Sequence, residues 1–150
     1  MLVQNILSMK ADKGIASDGP VVTIAPGATV AEAARLLSER RIGAVIVSTD
    51  GRTVAGILSE RDIVRELGRR GAEVLAMKVD DLMTANVKGC AKSDTALAVL
   101  ERMTEGRFRH MPVIEGGQMV DVISIGDAVA ARLKQLAMEN KALEGMIMGN

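Results

Sequence analysis

The chain of 150 residues has no tryptophan and no tyrosine, and Phe108 is its only aromatic side chain. That removes the stacking platforms on which single-strand nucleic-acid binders rest successive bases. The one cysteine, Cys90, cannot close an internal disulfide, and with the one histidine, His110, it cannot make a Cys/His cluster at metal-ligand spacing. No stretch approaches the roughly 18 to 20 apolar residues of a membrane span, and Met1-Leu2-Val3-Gln4-Asn5 has no basic region leading into an apolar run. Net charge is missing too: 19 basic residues face 19 acidic ones, so no overall field draws the chain to nucleic acid or to an anionic membrane. These absences lead to the expectation of a soluble cytoplasmic protein in which any anion site is local.

What is present is 48% hydrophobic residues, enough for the core of one compact domain or two very small ones, and an internal repeat. The two halves match at an offset of about 66 residues. Thr29-Val30-Ala31-Glu32 reads as a capping box, in which the Thr hydroxyl and the Glu carboxylate satisfy free backbone donors at a helix start. Val30, Ala33, Ala34 and Leu37 follow at i, i+3, i+4, i+7, and Ala96, Val99, Leu100 and Met103 repeat the stripe one offset later.

After each helix comes a basic turn and an apolar run, Ala44 to Val47 and Met111 to Ile114. The turns Asp50-Gly51 and Gly116-Gly117 lead to returning runs, Val54 to Leu58 and Met119 to Ile123, so each half predicts a hairpin. A second helix is expected at Ser59 and at Ser124, and opening strands at Val21 to Ile24 and Val87 to Cys90. The expected fold is therefore mixed α/β (α+β), two β-α-β-β-α repeats packed sheet to sheet about a pseudo-twofold axis. The expected spans are repeat 1 at 15–70, a linker at 71–79, repeat 2 at 80–137 and a C-terminal helical extension at 138–150.

Several segments resemble the CBS-domain family, specifically a stand-alone bacterial CBS pair. They are Val22-Thr23-Ile24-Ala25-Pro26, Gly56-Ile57-Leu58-Ser59-Glu60-Arg61-Asp62, Met83-Thr84, His110-Met111-Pro112-Val113 and Ser124-Ile125-Gly126-Asp127. The resemblance covers about residues 15 to 137. It implies a cleft between the repeats for an adenosine-containing ligand (AMP or NAD(H) foremost, ATP and ADP as alternatives), a regulatory role through ligand-dependent shape change, and a homodimer. It implies no catalytic cofactor.

Ser59 and Ser124 fall where a strand turns into a helix, whose free amides and positive dipole end favour a phosphate or a sugar edge. Asp62 and Asp127 follow three residues on, and a carboxylate suits the paired hydroxyls of a ribose, the role the resemblance assigns them. Ser-x-x-Asp is equally a plain helix cap needing no ligand. Arg107, Arg109 and His110 enter the second hairpin, and strand alternation would point both guanidiniums the same way as a phosphate clamp, though a solvated basic turn has the same composition.

The main expected site, in the second repeat, thus comprises Ser124, Ile125, Gly126, Asp127, Arg107, Arg109, His110, Met111 and Pro112, with Val22 and Thr23 crossing from the other repeat. A weaker first site comprises Ser59, Arg61, Asp62, Gly43, Ala44 and Val87, since Ile42-Gly43-Ala44 carries no charge where the second half has Phe108-Arg109-His110. Asp121, standing where the first half has Gly56, is expected to crowd or repel an anion.

Helix formers run from Asp127 to about Gly145, with Val129, Leu133, Leu136, Leu143 and Ile147 among the apolar positions, so the last turns need a dimer mate or a regulated partner. Met138, Met146 and Met148 are soft packing groups, and residues 1 to 14 are too short to interpret. An enzyme is disfavoured, because Cys90 falls in a predicted strand and His110 beside arginines that oppose its protonation. DNA binding through Arg35, Arg40, Arg41, Arg69 and Arg70 lacks a recognition helix. A structural dimerisation module with a degenerate nucleotide site remains the alternative.

Overall fold

The computed structural model describes residues 1–12 and 21–147; residues 15–20 of the expected first repeat, and Met148 with the rest of 148–150, lie outside the described residues. Thr29 caps helix α2 (Val30–Arg40) by accepting from the Glu32 amide at 3.2 Å while Glu32 Oε2 accepts from the Thr29 amide at 3.1 Å. Thr95 caps α5 (Ala96–Gly106) through the Ala98 amide at 3.0 Å. Both helices end on an arginine in the left-handed region, Arg41 at φ 53° and Arg107 at φ 56°, one repeat offset apart.

In the first half β1 (Thr23–Ile24) pairs in parallel with β2 (Ala44–Val47), which pairs antiparallel with β3 (Gly56–Ser59). In the second half β4 (His110–Glu115) and β5 (Gln118–Ser124) form the hairpin, turning on Gly116 and Gly117 at φ 59° and 78°, a conformation that suits glycine. Helices α3 (Glu60–Arg70) and α6 (Ile125–Ile147) then begin directly after Ser59 and Ser124, as the sequence predicts.

Two expectations change and one gains detail. Val87 to Cys90 is no strand: only Cys90 bridges to Val113, its amide donating to the Pro112 carbonyl at 3.0 Å. Asp50-Gly51 is no two-residue turn, because an eight-residue loop separates β2 from β3. Asp50 closes that loop, its Oδ1 accepting from the Arg52 amide at 2.8 Å and the Thr53 amide at 2.7 Å, which hold its carboxyl below the usual carboxylate range. The linker, third, is structured: a 3-10 helix (Gly71–Ala76) and α4 (Val79–Leu82) bury Val74 and Val79 completely.

Those two valines belong to the first core, with Val30, Ala33, Leu37, Val45, Val47, Leu58 and Ile63. The second core, built on Ala96, Val99, Met103, Met111, Val113, Ile123, Ala128 and Ala131, is completed by Val3 and Ile6 of α1 (Val3–Asp12), a helix the sequence reading left uninterpreted. Each repeat is thus closed by the helix that precedes the other. The docking bonds match pairwise: the Val3 amide donates to Asp94 O and the Val79 amide to Ala28 O, both at 2.8 Å; the Ala96 amide donates to Met1 O and the Val30 amide to Met77 O, both at 2.9 Å. Burying a Val or Ile side chain stabilises by about 1.5–3 kcal/mol, so the exchange ties the two halves into one unit. The signal was there to find, since Val3-Gln4-Asn5-Ile6-Leu7-Ser8 parallels Val79-Asp80-Asp81-Leu82-Met83-Thr84.

Helix α6 packs through Ala128 and Ala131 and then leaves the body; Leu133, Leu136, Leu143 and Ile147 are exposed. Among the described residues, no helix is long and apolar enough to cross a membrane.

Candidate functional site

The exchange of helices leaves two clefts, each lined by residues of both repeats. The first, about 800 Å³, takes Ser59, Arg61, Asp62 and Arg65 from the start of α3, Thr84, Asn86, Val87 and Lys88 from the segment after α4, and Arg107 to His110 from the turn before β4. The second, about 370 Å³, takes Asp121, Val122, Ser124 and Asp127 from β5 and α6, Val21 and Val22 ahead of β1, Arg41 to Ala44 from the turn before β2, and Lys10 from α1. Gly43, His110 and Ser124 line both.

The structure therefore regroups the expected site residues. Val22 reaches the Ser124 and Asp127 cleft as expected, and Ser59, Arg61, Asp62, Gly43 and Val87 meet in the other. Arg107 and Arg109 do not stand with Asp127: the turn before each hairpin points across the pseudo-twofold axis, so both arginines face Ser59 and Asp62, and Ile125 goes with them. Strand alternation is not what aligns them, because Arg107 is the left-handed cap of α5 and precedes β4. Ala44 lines only the second cleft, while Thr23, Met111, Pro112 and Gly126 line neither; Met111 is fully buried in the second core. Reading within each repeat missed Lys10, Arg65, Asn86 and Lys88; the parallel between α1 and α4 was the signal that would have placed Lys10 and Asn86.

At the first cleft, Ser59 Oγ accepts from the Asp62 amide at 3.2 Å and donates to Asp62 Oδ2 at 2.9 Å, while Oδ2 also accepts from the Ser59 amide at 3.0 Å. The Glu60 amide donates to Gly43 O at 2.9 Å, and the Arg61 amide, in the first turn of α3, has no acceptor within its own helix. That amide, at the positive end of an 11-residue helix, is available to an anion. Arg65 pairs with Asp62 Oδ1 at 3.1 Å. Arg61, Lys88, Arg107 and Arg109 form no ion pair among the described residues, so four uncommitted cations surround one free helix amide.

The second cleft has the same cap, the Ser124 amide donating to Asp127 Oδ2 at 2.9 Å and the Asp127 amide to Ser124 Oγ at 3.1 Å. Its charge differs. Lys10 Nζ lies 3.4 Å from Asp127 Oδ2 and 4.0 Å from Asp121 Oδ1 and donates to Val122 O at 3.0 Å. Two anions there balance Lys10 and Arg41.

Between the clefts His110 lies over Gly43, where an added Cβ would stand 3.1 Å from Cε1 and 3.2 Å from Nε2 and would have to displace the ring by a few tenths of an ångström. Burial holds the imidazole below its ordinary value of 6.5, Glu60 and Asp127 oppose this, and Arg109 adds to it. The other nucleophile candidate, Cys90, is buried, and burial with the Asp94 charge pushes its thiol up to about 11. No cluster of three potential metal ligands occurs among the described residues.

The CBS-domain family model matches twice, over residues 13–69 and 79–134. The solved structure of a CBS-domain containing protein from Agrobacterium tumefaciens is 41% identical, covering 88% of this chain and 99% of that one, with a TM-score of 0.79. The mitochondrial CBS domain-containing protein CBSX3 of Arabidopsis thaliana is 32% identical over 141 residues, 91% of this chain and 68% of that protein. A Pyrobaculum aerophilum CBS domain protein solved in complex with AMP is 22% identical, covers 85% of this chain and 89% of its own, and shares the fold at a TM-score of 0.69. With two matched repeats whose leading helices are exchanged and whose clefts open between them, the chain belongs to the CBS-domain family, as a tandem pair.

Proposed function

We propose that this CBS pair is a regulatory module that binds one adenine nucleotide, AMP or NAD(H) before ATP or ADP, in the first cleft and passes its occupancy to a partner by a change of shape. The observation that carries the reading is the set of uncommitted cations, Arg61, Lys88, Arg107 and Arg109, around the free amide at the start of α3. A phosphate there gains charge-assisted hydrogen bonds, and Asp62, already oriented by Ser59, offers acceptor oxygens to a ribose diol. The AMP complex of the Pyrobaculum relative supports the ligand class, and a cleft of about 800 Å³ accommodates it. The role is binding rather than turnover: the one thiol is buried and pushed up to about 11, which keeps it protonated and unreactive.

The exposed apolar stripe of α6 supports pairing with a second copy of the chain. The alternative, a dimerisation module with degenerate sites, draws on the second cleft, where Lys10 already neutralises the carboxylates.

The test uses the lack of Trp and Tyr, which leaves the protein almost transparent at 280 nm. Absorbance near 260 nm in the purified protein, with the heat-released compound identified by mass spectrometry, reads the ligand directly. Protein that carries none and takes up neither AMP nor NADH on titration would sink the reading.

A further inference from the structure

Two of the matched positions at which the halves differ bear on the second cleft. Where β3 has Gly56, β5 has Asp121; where the first cleft has Asn86, the second has Lys10, by the same alignment that pairs Val3 with Val79. In the first repeat, Gly56 lets the following chain approach: a Cβ would lie 2.9 Å from the Thr84 carbonyl, and Ile57 exchanges main-chain bonds with Thr84 at 3.0 and 2.9 Å. In the second repeat Asp121 fills that space, and the edge carbonyl of Val122, the counterpart of Ile57, accepts from Lys10 Nζ instead. The same ammonium reaches Asp127, the residue that matches Asp62. Its side chain is 16% exposed, so its charge is seated in the cleft wall rather than solvated outside it.

We propose that Lys10 is an intramolecular occupant of the second cleft, and that by holding Asp127 and Asp121 it closes that cleft to a ribose and limits the module to one nucleotide. This rests on the reading of the clefts as adenosine sites. A ribose diol needs the free acceptor oxygens of Asp127; one of them already accepts from the Ser124 amide and lies against Lys10, and the charge that would draw a diol is neutralised. Asp62 makes the matching cap bonds through Oδ2, but the cation on its Oδ1 is Arg65 at 53% side-chain exposure, which can swing away, and its cleft keeps its other cations. Lys10, at 16% exposure with its ammonium bonded to Val122 O and beside both carboxylates, gives way less readily.

The experiment is calorimetric titration of the full chain and of Lys10→Gln and Lys10→Met, with AMP and with adenosine, whose lack of charge removes repulsion from Asp121. The unmodified chain should take one equivalent of AMP. Both variants should gain a second equivalent of adenosine, and Asp127→Ala added to either should remove it. Two equivalents in the unmodified chain, or one in folded Lys10 variants with both ligands, would overturn the proposal. If the unmodified chain takes no AMP while the variants take adenosine through Asp127, the reading of the first cleft fails and the role of Lys10 stands. Should the variants not fold, acetylation of the unmodified chain by acetic anhydride decides: Lys10 should react at least tenfold more slowly than exposed Lys134 and Lys141, and equal rates would overturn the proposal.

Discussion

Replacing Arg109 by alanine isolates one cation of the first cleft. The side chain is solvent-exposed and forms no ion pair among the described residues, and its structural bond, the Ile125 amide donating to the Arg109 carbonyl at 2.8 Å, belongs to the main chain and survives the substitution. Folding stability should therefore change by no more than about 0.5 kcal/mol. A hydrogen bond between a guanidinium and a phosphate is worth about 1.5–3 kcal/mol, and solvent exposure places Arg109 at the low end, about 1–2 kcal/mol. At 1.4 kcal/mol per decade this is a roughly 5- to 30-fold loss of AMP affinity. Adenosine, with no phosphate, should bind the variant and the unmodified chain alike. The comparison is made by calorimetry at a pH of about 7.5, above the ordinary imidazole value, since removing Arg109 also removes one influence that lowers the titration of His110. Raising salt should narrow the difference by screening the exposed charge. Equal AMP affinities, or equal losses for AMP and adenosine, would refute the clamp.

Two further predictions concern stability. His110 has a folded-state value below 6.5, so as pH falls the unfolded chain takes up the proton first and the native state is penalised; stability is full above 6.5 and declines below it toward the lowered folded value. Thermal melts from about pH 7.5 down to about pH 5.5 should show this loss, and His110→Gln should reduce it; an unchanged slope in that variant would assign the loss to other groups. Gly56→Ala would drive a Cβ against the Thr84 carbonyl, a main-chain atom fixed by its bond from Ile57, and should cost about 1–3 kcal/mol in urea denaturation. No loss there would mean that the segment after α4 is free to shift.

The repeat was legible because its signals are local. Thr29-x-x-Glu32, the stripes beginning at Val30 and Ala96, and the two Ser-x-x-Asp caps each depend on neighbours within one helical turn, and the structure has all of them in place. Where partners come from afar the reading fell short. Val87 to Cys90 has strand composition, yet whether it pairs depends on β4, which offers it a single bridge at Val113. Val74 and Val79 looked like linker residues because their burial comes from α2 and α3 rather than from any periodicity of their own.

The site shows the same division more sharply. Which side chains carry charge near a cap was visible in the sequence; which cap they face was not. Arg107 and Arg109 are 20 and 18 residues from Asp127 along the chain, yet they line the cleft of Ser59 and Asp62 and not that of Asp127, because the turn before each hairpin lines the cleft that holds the other repeat's cap. A pair of repeats related by a twofold axis therefore assembles each cleft from the cap of one and the turn of the other. The crossing gives evolution two independent handles on each site. Charging the turn of repeat 2 enriches the first cleft, and placing Lys10 on the helix ahead of repeat 1 neutralises the second; neither change disturbs the cap it acts upon, so Ser59-Asp62 and Ser124-Asp127 can remain alike while the two clefts differ in charge.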